Sequence, residues 1–422
     1  MWPRKIRQPV RTQIEYRLSC IDDILPDDHR ARLVWQYVEK IDISCLLAGV
    51  RSFAGNKGAP TTDPRILLSL WLFAILDGVG AAREVARLCE RDHAYQWICG
   101  GVTINHHTLS DFRNAAGPFL DDLLTKSVAA LILAGVVDLS CLAVDSMRVR
   151  ANAGQSSFRR KQTLLELQRL ARERIEQLKA ENAADPQANT RRQQARRERA
   201  ARERAERIDA ALKAVEEIER ARVAEDKANR RKTPKKRQEV RASTTDPEAR
   251  RMAMANGGMA PAYNVQIKTD PNSAVVVGVS VTNNGSDRGK LGPAVDEIRQ
   301  RYDEPPEKLL ADVGYDGHSD IEAVEAKGTA VYVPLPRKEA DRQPKPKDGP
   351  GVRKWKERMG GEAEKLLYAN RIKTEHVHAQ MRNHGFLQMP VRGLEKAKTI
   401  ALWFAIASNF LLHAPTLTDI AC

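Results

Sequence analysis

The sequence predicts an α/β protein with an all-helical N-terminal segment and a sheet-bearing core that is interrupted by a helical excursion. Three observations carry this. Runs rich in Val and Ile at 139–145, 261–268 and 274–282, bounded by turn residues, have the composition of strands. Helix and strand patterns then alternate: a helix at 290–302, a strand at 307–312, a helix at 318–327 and a strand at 329–334. Between the first two strands, no glycine occurs from Gly154 to Gly257 and no aromatic from Phe158 to Tyr263, while apolar residues step by three or four.

Asp63-Pro64 starts the first clear helix, with Asp as N-cap and Pro at the first helical position, and Gly78 stops it. Ala81 to Arg91 predicts a second short helix, and Thr103-Ile104-Asn105 introduces a third beginning near Thr108. Short helices with Arg83, Arg87, Arg91 and Arg113 available suit a helix-turn-helix-like DNA binder, and equally a helical domain that packs on the core. Residues 1–135 are taken as this N-terminal helical DNA-binding domain. His106 and His107 lack the partner spacing of a metal site and read as cap or surface residues.

With the excursion excised, the core has three strands followed by alternating helix and strand. That is the order of an RNase H-like fold, here spanning 136–155 and 241–415. In it the first and fourth strands are neighbours, so Asp145 and Asp312 meet. The apolar segment Lys396 to Leu412 predicts a final helix closing the core.

The excursion, 156–240, is a charged helical insertion. Apolar residues at 164, 167, 171, 175 and 178, and again at 201, 205, 208, 212 and 215, predict two amphipathic helices. Pro186 marks the turn of a coiled-coil-like hairpin. The basic runs Arg191 to Arg204 and Arg230 to Arg237 either grip DNA or form solvated faces. The 230–237 segment and Arg337 to Lys354 read as flexible.

Chemistry concentrates in Leu366 to Glu375. Tyr368 precedes Arg371 by three residues, Arg371 precedes Glu375 by four, and Arg382 follows seven later. On one continuous helix these steps keep all four side chains on one stripe. Such a stripe suits a metal ion beside a phosphate, and it equally suits a solvated helix with ordinary Arg–Glu pairs. Asp145 and Asp312 each end a short apolar run. Acids at adjacent strand ends would supply oxygen ligands for Mg²⁺, and without a cation they would repel one another. For the second position Asp316 and Asp320 compete, and for the third Glu364 and Glu395.

Asp145, Asp312 and Glu375, with Tyr368 and Arg371, resemble the DDE transposases of bacterial insertion sequences, the cut-and-paste group with a YREK signature. Asp145-Ser146-Met147-Arg148-Val149-Arg150-Ala151-Asn152-Ala153 looks like its first-aspartate motif and Ala311 to Asp316 like its second. Gly257-Gly258, Tyr263-Asn264-Val265-Gln266, and Asp287 with Leu291 match in order. Asp63-Pro64-Arg65 through Thr108 to Arg113 resembles the helical domain before the core. Arg382 stands where the signature has lysine, which keeps the charge but changes its geometry. The resemblance implies two Mg²⁺ ions, with Mn²⁺ as a substitute, held by Asp145, Asp312 and Glu375. It implies DNA-binding roles for Tyr368, Arg371 and Arg382 on transposon-end phosphates. It further implies double-stranded DNA (transposon ends and target) as partner, a homodimer in the synaptic complex, and a bacterial, nucleoid-associated location.

The whole-chain numbers agree. A chain of 422 residues with net charge +14 and a pI near 9.5 favours a polyanionic partner. The run Ile66 to Leu76 is too short to span a bilayer, and the N-terminus shows no apolar signal region, so a cytoplasmic protein without a membrane partner is expected. Six cysteines with no C-x-x-C pair argue against a disulfide framework or zinc site. Two further readings share these features: an RNase H-like nuclease without strand transfer, and a catalytically inactive DNA-binding protein derived from a transposase.

Overall fold

The structure, a computed structural model, describes residues 20–50, 60–184, 190–228, 239–335 and 343–419. Its first third is helical: α1 (Arg30–Lys40), α2 (Ser44–Ala48), α3 (Pro64–Leu76), α4 (Ala82–Arg91), α5 (His93–Cys99), α6 (His106–Ala115) and α7 (Gly117–Leu133). Asp63 caps α3 by accepting the Arg65 N–H at 2.8 Å. The chain leaves α3 through Gly78 at φ +73°, a left-handed turn that costs glycine nothing. Every residue of α3 except Arg65 is buried, as expected for a helix apolar on all sides. Asn105 caps α6, taking the N–H groups of His107 and Thr108.

One of the four expected DNA-facing arginines is not available. Arg113 is buried, lies 4.8 Å over the Trp71 ring and donates to the Gly80 carbonyl at 2.7 Å. Burial lowers its pKa to about 10. Its position in the last turn of α6 places it on the packed face, where its guanidinium satisfies a loop carbonyl.

The strands are β1 (Cys141–Arg150), β2 (Phe158–Arg160), β3 (Arg241–Ser243), β4 (Arg250–Ala253), β5 (Met259–Thr269), β6 (Val276–Thr282), β7 (Lys308–Ala311) and β8 (Ala330–Tyr332). The main sheet is mixed, in the order β4-β5-β1-β7-β8, with β6 also paired to β5. β5 runs antiparallel to β1, β4 and β6, whereas β7 runs parallel to β1 and β8 parallel to β7. The first and fourth expected core strands, β1 and β7, are thus neighbours. β1 is longer than the expected 139–145. Its pairing with β5 continues from Ala143 to Arg150, burying Met147 and Val149, so Asp145 lies mid-strand rather than at a strand end.

The remaining helices are α8 (Lys161–Ala184), α9 (Arg191–Ala228), α10 (Leu291–Tyr302), α11 (His318–Ala326), α12 (Pro350–Arg358), α13 (Glu362–Ala369), α14 (Ile372–Asn383) and α15 (Leu394–Asp419). α15 is long and apolar enough to cross a membrane by composition, and most of that apolar stretch is buried inside the fold. It packs against β6, α7 and α3, joining the sheet and the N-terminal helices into one hydrophobic core. Asn409 on α15 accepts the Val276 N–H at 2.7 Å and donates to the Val276 carbonyl at 2.9 Å, satisfying the free edge of β6. A partly buried ionic network reinforces the junction. Lys268 of β5 pairs with Glu297 of α10, Arg301 of α10 with Asp121 of α7, and Lys398 of α15 with the same Asp121.

α8 and α9 lie antiparallel, as the pairs Lys161–Glu219, Gln168–Asp209 and Asn182–Glu198 require. Leu164, Ala171 and Leu178 repeat every seven residues on the buried seam of α8. Leu164 joins Ala211, Leu212, Ala214, Val215, Val240 and Ala242 in a small core separate from the main one. Beneath it, β2 and β3 pair and bring the two ends of the excursion together. The expected turn at Pro186 and the basic run Arg230 to Arg237 lie outside the described residues, as does 337–342 of the segment expected to be flexible, Arg337 to Lys354; residues 350–354 of that segment instead form the start of α12.

Candidate active site

The site forms where β1, the end of β7 and α14 converge. In the parallel register Val144 lies opposite Ala311, so Asp145 and Asp312 follow on adjacent strands. Asp312 opens a 3-10 turn, Val313–Tyr315, and its carboxylate accepts the Val313 N–H at 2.6 Å. Asp145 accepts the Ser146 N–H at 2.7 Å through one oxygen and the Arg371 guanidinium at 2.8 Å through the other.

Arg371 is the hub. Its second terminal nitrogen donates to Glu375 at 2.9 Å, and its guanidinium lies 5.8 Å from the centre of the Tyr368 ring. Burial raises the Asp145 carboxyl above the ordinary carboxylate range, with the Arg371 charge opposing that rise and the nearby Asp312 adding to it. Burial is the largest influence on Arg371 and would lower it, but the charges of Asp145, Tyr368, Asp312 and Glu375 together outweigh it and the net shift is upward. Burial likewise raises the Tyr368 phenol. His378, 3.8 Å from Asp145, is no ion-pair partner: burial, aided by the charges of Arg382 and Arg371, drops its pKa to about 3 and leaves it neutral. The compensating charge for Asp145 is therefore Arg371.

The single helix expected to carry the whole stripe is broken. Tyr368 belongs to α13 and Glu375 to α14, and between them the Asn370 and Arg371 N–H groups bond three residues back, to Leu367 and Tyr368. This tightened turn accompanies the burial of Arg371 against Asp145, while Glu375, with its side chain 57% exposed, remains at the surface. Arg382 stands apart from the Asp145–Arg371–Glu375 chain. It lines an adjacent cleft of about 940 Å³ together with Ser146, Arg148, Arg150 and Gln388. The alternation of β1 sends Ser146, Arg148 and Arg150 to one face. Of the competing acids, Asp316 pairs with Arg288 and Asp320 accepts the first N–H groups of α10, so both are engaged otherwise.

Among the described residues, no three His, Cys, Asp or Glu side chains are gathered closely enough to hold a metal ion. The expected ligand set of Asp145, Asp312 and Glu375 is not drawn into one coordination sphere, because Arg371 is interposed between Asp145 and Glu375. The donors nevertheless fit Mg²⁺ or Mn²⁺ chemically. All are carboxylate oxygens, and Asp145 and Glu375 already converge on one cationic group.

A supporting layer carries residues whose role sequence reasoning left unassigned. Asp287 accepts from Asn264 at 2.7 Å, Gln266 at 2.9 Å and Arg148 at 3.2 Å. Tyr315, in the turn after Asp312, donates to the Gln266 side-chain carbonyl. The buried network thus ties β5 to the Asp312 turn and to the arginine face of β1. The signal was the run Tyr263 to Gln266, with two amides alternating with apolar neighbours on one strand; only the fold shows that both amides meet Asp287.

Two family models match the chain: a transposase DDE domain over residues 237–410 and a transposase domain (DUF772) over residues 19–115. No curated protein and no solved structure matches it.

Proposed function

Because the chain belongs to the DDE transposases of insertion sequences and acts on DNA, we propose that it binds terminal inverted repeats and catalyses Mg²⁺-dependent cleavage and strand transfer. The observation that carries the proposal is the guanidinium of Arg371 linking Asp145 to Glu375 while Asp312 stands just past the end of the neighbouring strand β7. A strand, the turn after its neighbour and a helix, far apart in sequence, thus bring Asp145, Asp312 and Glu375 into one region of the fold, which supports a catalytic reading over DNA binding alone. The order β6-β5-β1-β7-β8 supports an RNase H-like core.

In this proposal Asp145, Asp312 and Glu375 hold two Mg²⁺ ions. When bound, the ions supply Lewis acidity on both sides of an in-line phosphoryl transfer. The chain's own residues do the rest. Tyr368 and Arg371 engage a phosphate of the transposon end, and Arg382 holds the strand further along the cleft with Arg148 and Arg150. A phosphate arriving at Arg371 competes with Asp145 and Glu375 for the same N–H donors, so DNA entry frees the two carboxylates as the substrate is positioned. Asp287, through Gln266 and Tyr315, steadies the Asp312 turn. Synapsis of two ends implies a homodimer on DNA. The test supplies the protein with Mg²⁺ and a duplex carrying the element's terminus, then with pre-cut ends and a target. Cleavage followed by joining supports the reading, and cleavage without joining leaves a nuclease.

A further inference from the structure

Away from the acids, a cleft of about 380 Å³ lies where α9 meets the core. Arg204 and Arg207 of α9, Arg392 from the segment before α15, and Thr244 and Thr245 just after β3 line it, over Leu167 and Ile208. The spacing of Arg204, Arg207 and the buried Ile208 puts the three on one side of α9. None of the three arginines has an ion-pair or hydrogen-bond partner among the described residues. Glu203 and Glu206, the acids beside them in sequence, do not line the cleft, and Asp209 is occupied by Gln168 at 2.6 Å. Three guanidiniums beside two threonines, without a carboxylate, make a site for a multiply charged oxyanion.

We propose that this cleft holds backbone phosphates of the DNA on which the enzyme acts, an inference that rests on the transposase reading. Two features favour DNA backbone as the occupant. Arg392 is four residues from Gln388, which lines the cleft beside Asp145, so these two lining residues are at most about 14 Å apart along the backbone. One strand of a few nucleotides can therefore engage both. The cleft is also built from both the insertion and the core, so a phosphate seated there fastens α9 over DNA that leaves the active site. Arginine in place of lysine at all three positions suits phosphate recognition by paired N–H donors.

The test measures the salt dependence of affinity for a short labelled duplex of arbitrary sequence, since backbone contacts are sequence-independent. The triple variant Arg204→Ala, Arg207→Ala, Arg392→Ala should lower the log–log salt slope by about 2.7, or about 0.9 per lost contact. The corresponding Lys variants should keep most of the slope. A charge-matched triple on the exposed side of α8, Arg169→Ala, Arg172→Ala, Arg174→Ala, should leave it near wild type. An unchanged slope in the cleft triple, or equal losses in both alanine triples, overturns the cleft while wild-type cleavage still supports the transposase reading. A wild-type protein that neither binds nor cuts DNA overturns both.

Discussion

Removing the Arg371 guanidinium strips a buried carboxylate of its counter-charge, and the cost follows from exposure. The side chains of Arg371 and Asp145 are 11% and 15% exposed, so their bond is close to a buried ion pair. Deleting one partner of such a pair costs about 3–5 kcal/mol. Asp145 keeps its Ser146 N–H, which places Arg371→Ala near the lower end, about 3 kcal/mol. The solvent-facing Glu375 arm adds only about 0.3–0.5 kcal/mol. The pH dependence has a definite sign. Burial holds the folded-state pKa of Asp145 above its unfolded value, and losing Arg371 raises it further. A carboxyl raised in this way destabilises the fold when ionised, and the penalty disappears as pH falls through the folded pKa because the folded state takes up the proton first. Urea unfolding of wild type and Arg371→Ala at neutral pH and at about pH 5 should show the larger deficit at neutral pH. A deficit that is equal at both, or under about 1 kcal/mol at neutral pH, would mean an ordinary surface pair and refute the reasoning.

Other perturbations have equally direct readouts. Lys268→Ala leaves the buried Glu297 with only Arg301 and the Val279 N–H as partners and should cost about 3–5 kcal/mol in urea unfolding. Asn409→Leu strands both backbone groups of Val276 at the edge of β6, and a loss of about 2–4 kcal/mol is expected by the same measurement. Replacing 161–240 with a short Gly/Ser linker keeps the paired β2 and β3 and removes the small separate core. Circular dichroism should therefore show a folded variant, and gel shifts should show complexes on paired DNA ends impaired; unfolding or unchanged paired-end complexes would contradict this.

Much of this architecture is legible from local rules, because the deciding interactions are local. Asp63-Pro64 and Asn105 make their caps within three residues, and the strand runs carry their own composition. The seven-residue seam of α8 is likewise visible in sequence. What escaped depends on distant partners. β1 continues past Asp145 because β5 pairs with it, more than a hundred residues away. Arg113 resembles a surface arginine until Trp71 covers it. The stripe of Tyr368, Arg371 and Glu375 assumed one helix, whereas the chain tightens at Asn370 and Arg371 is buried against Asp145 on β1. Asp287 stands out in sequence only through the family resemblance, and its buried role escapes because its donors, Asn264, Gln266 and Arg148, come from the two strands β5 and β1.

The central claim is that Asp145, Asp312 and Glu375 form one metal-dependent catalytic set. Asp145→Asn, Asp312→Asn and Glu375→Gln each keep side-chain size and remove one charge. Cleavage of a terminus-bearing duplex in Mg²⁺, measured alongside binding of the same duplex, tests the claim most directly, with Glu375→Gln the most exacting case because Glu375 is the most exposed of the acids that Arg371 joins. The account predicts that all three variants bind the duplex and none cuts it; wild-type cleavage by Glu375→Gln would contradict it.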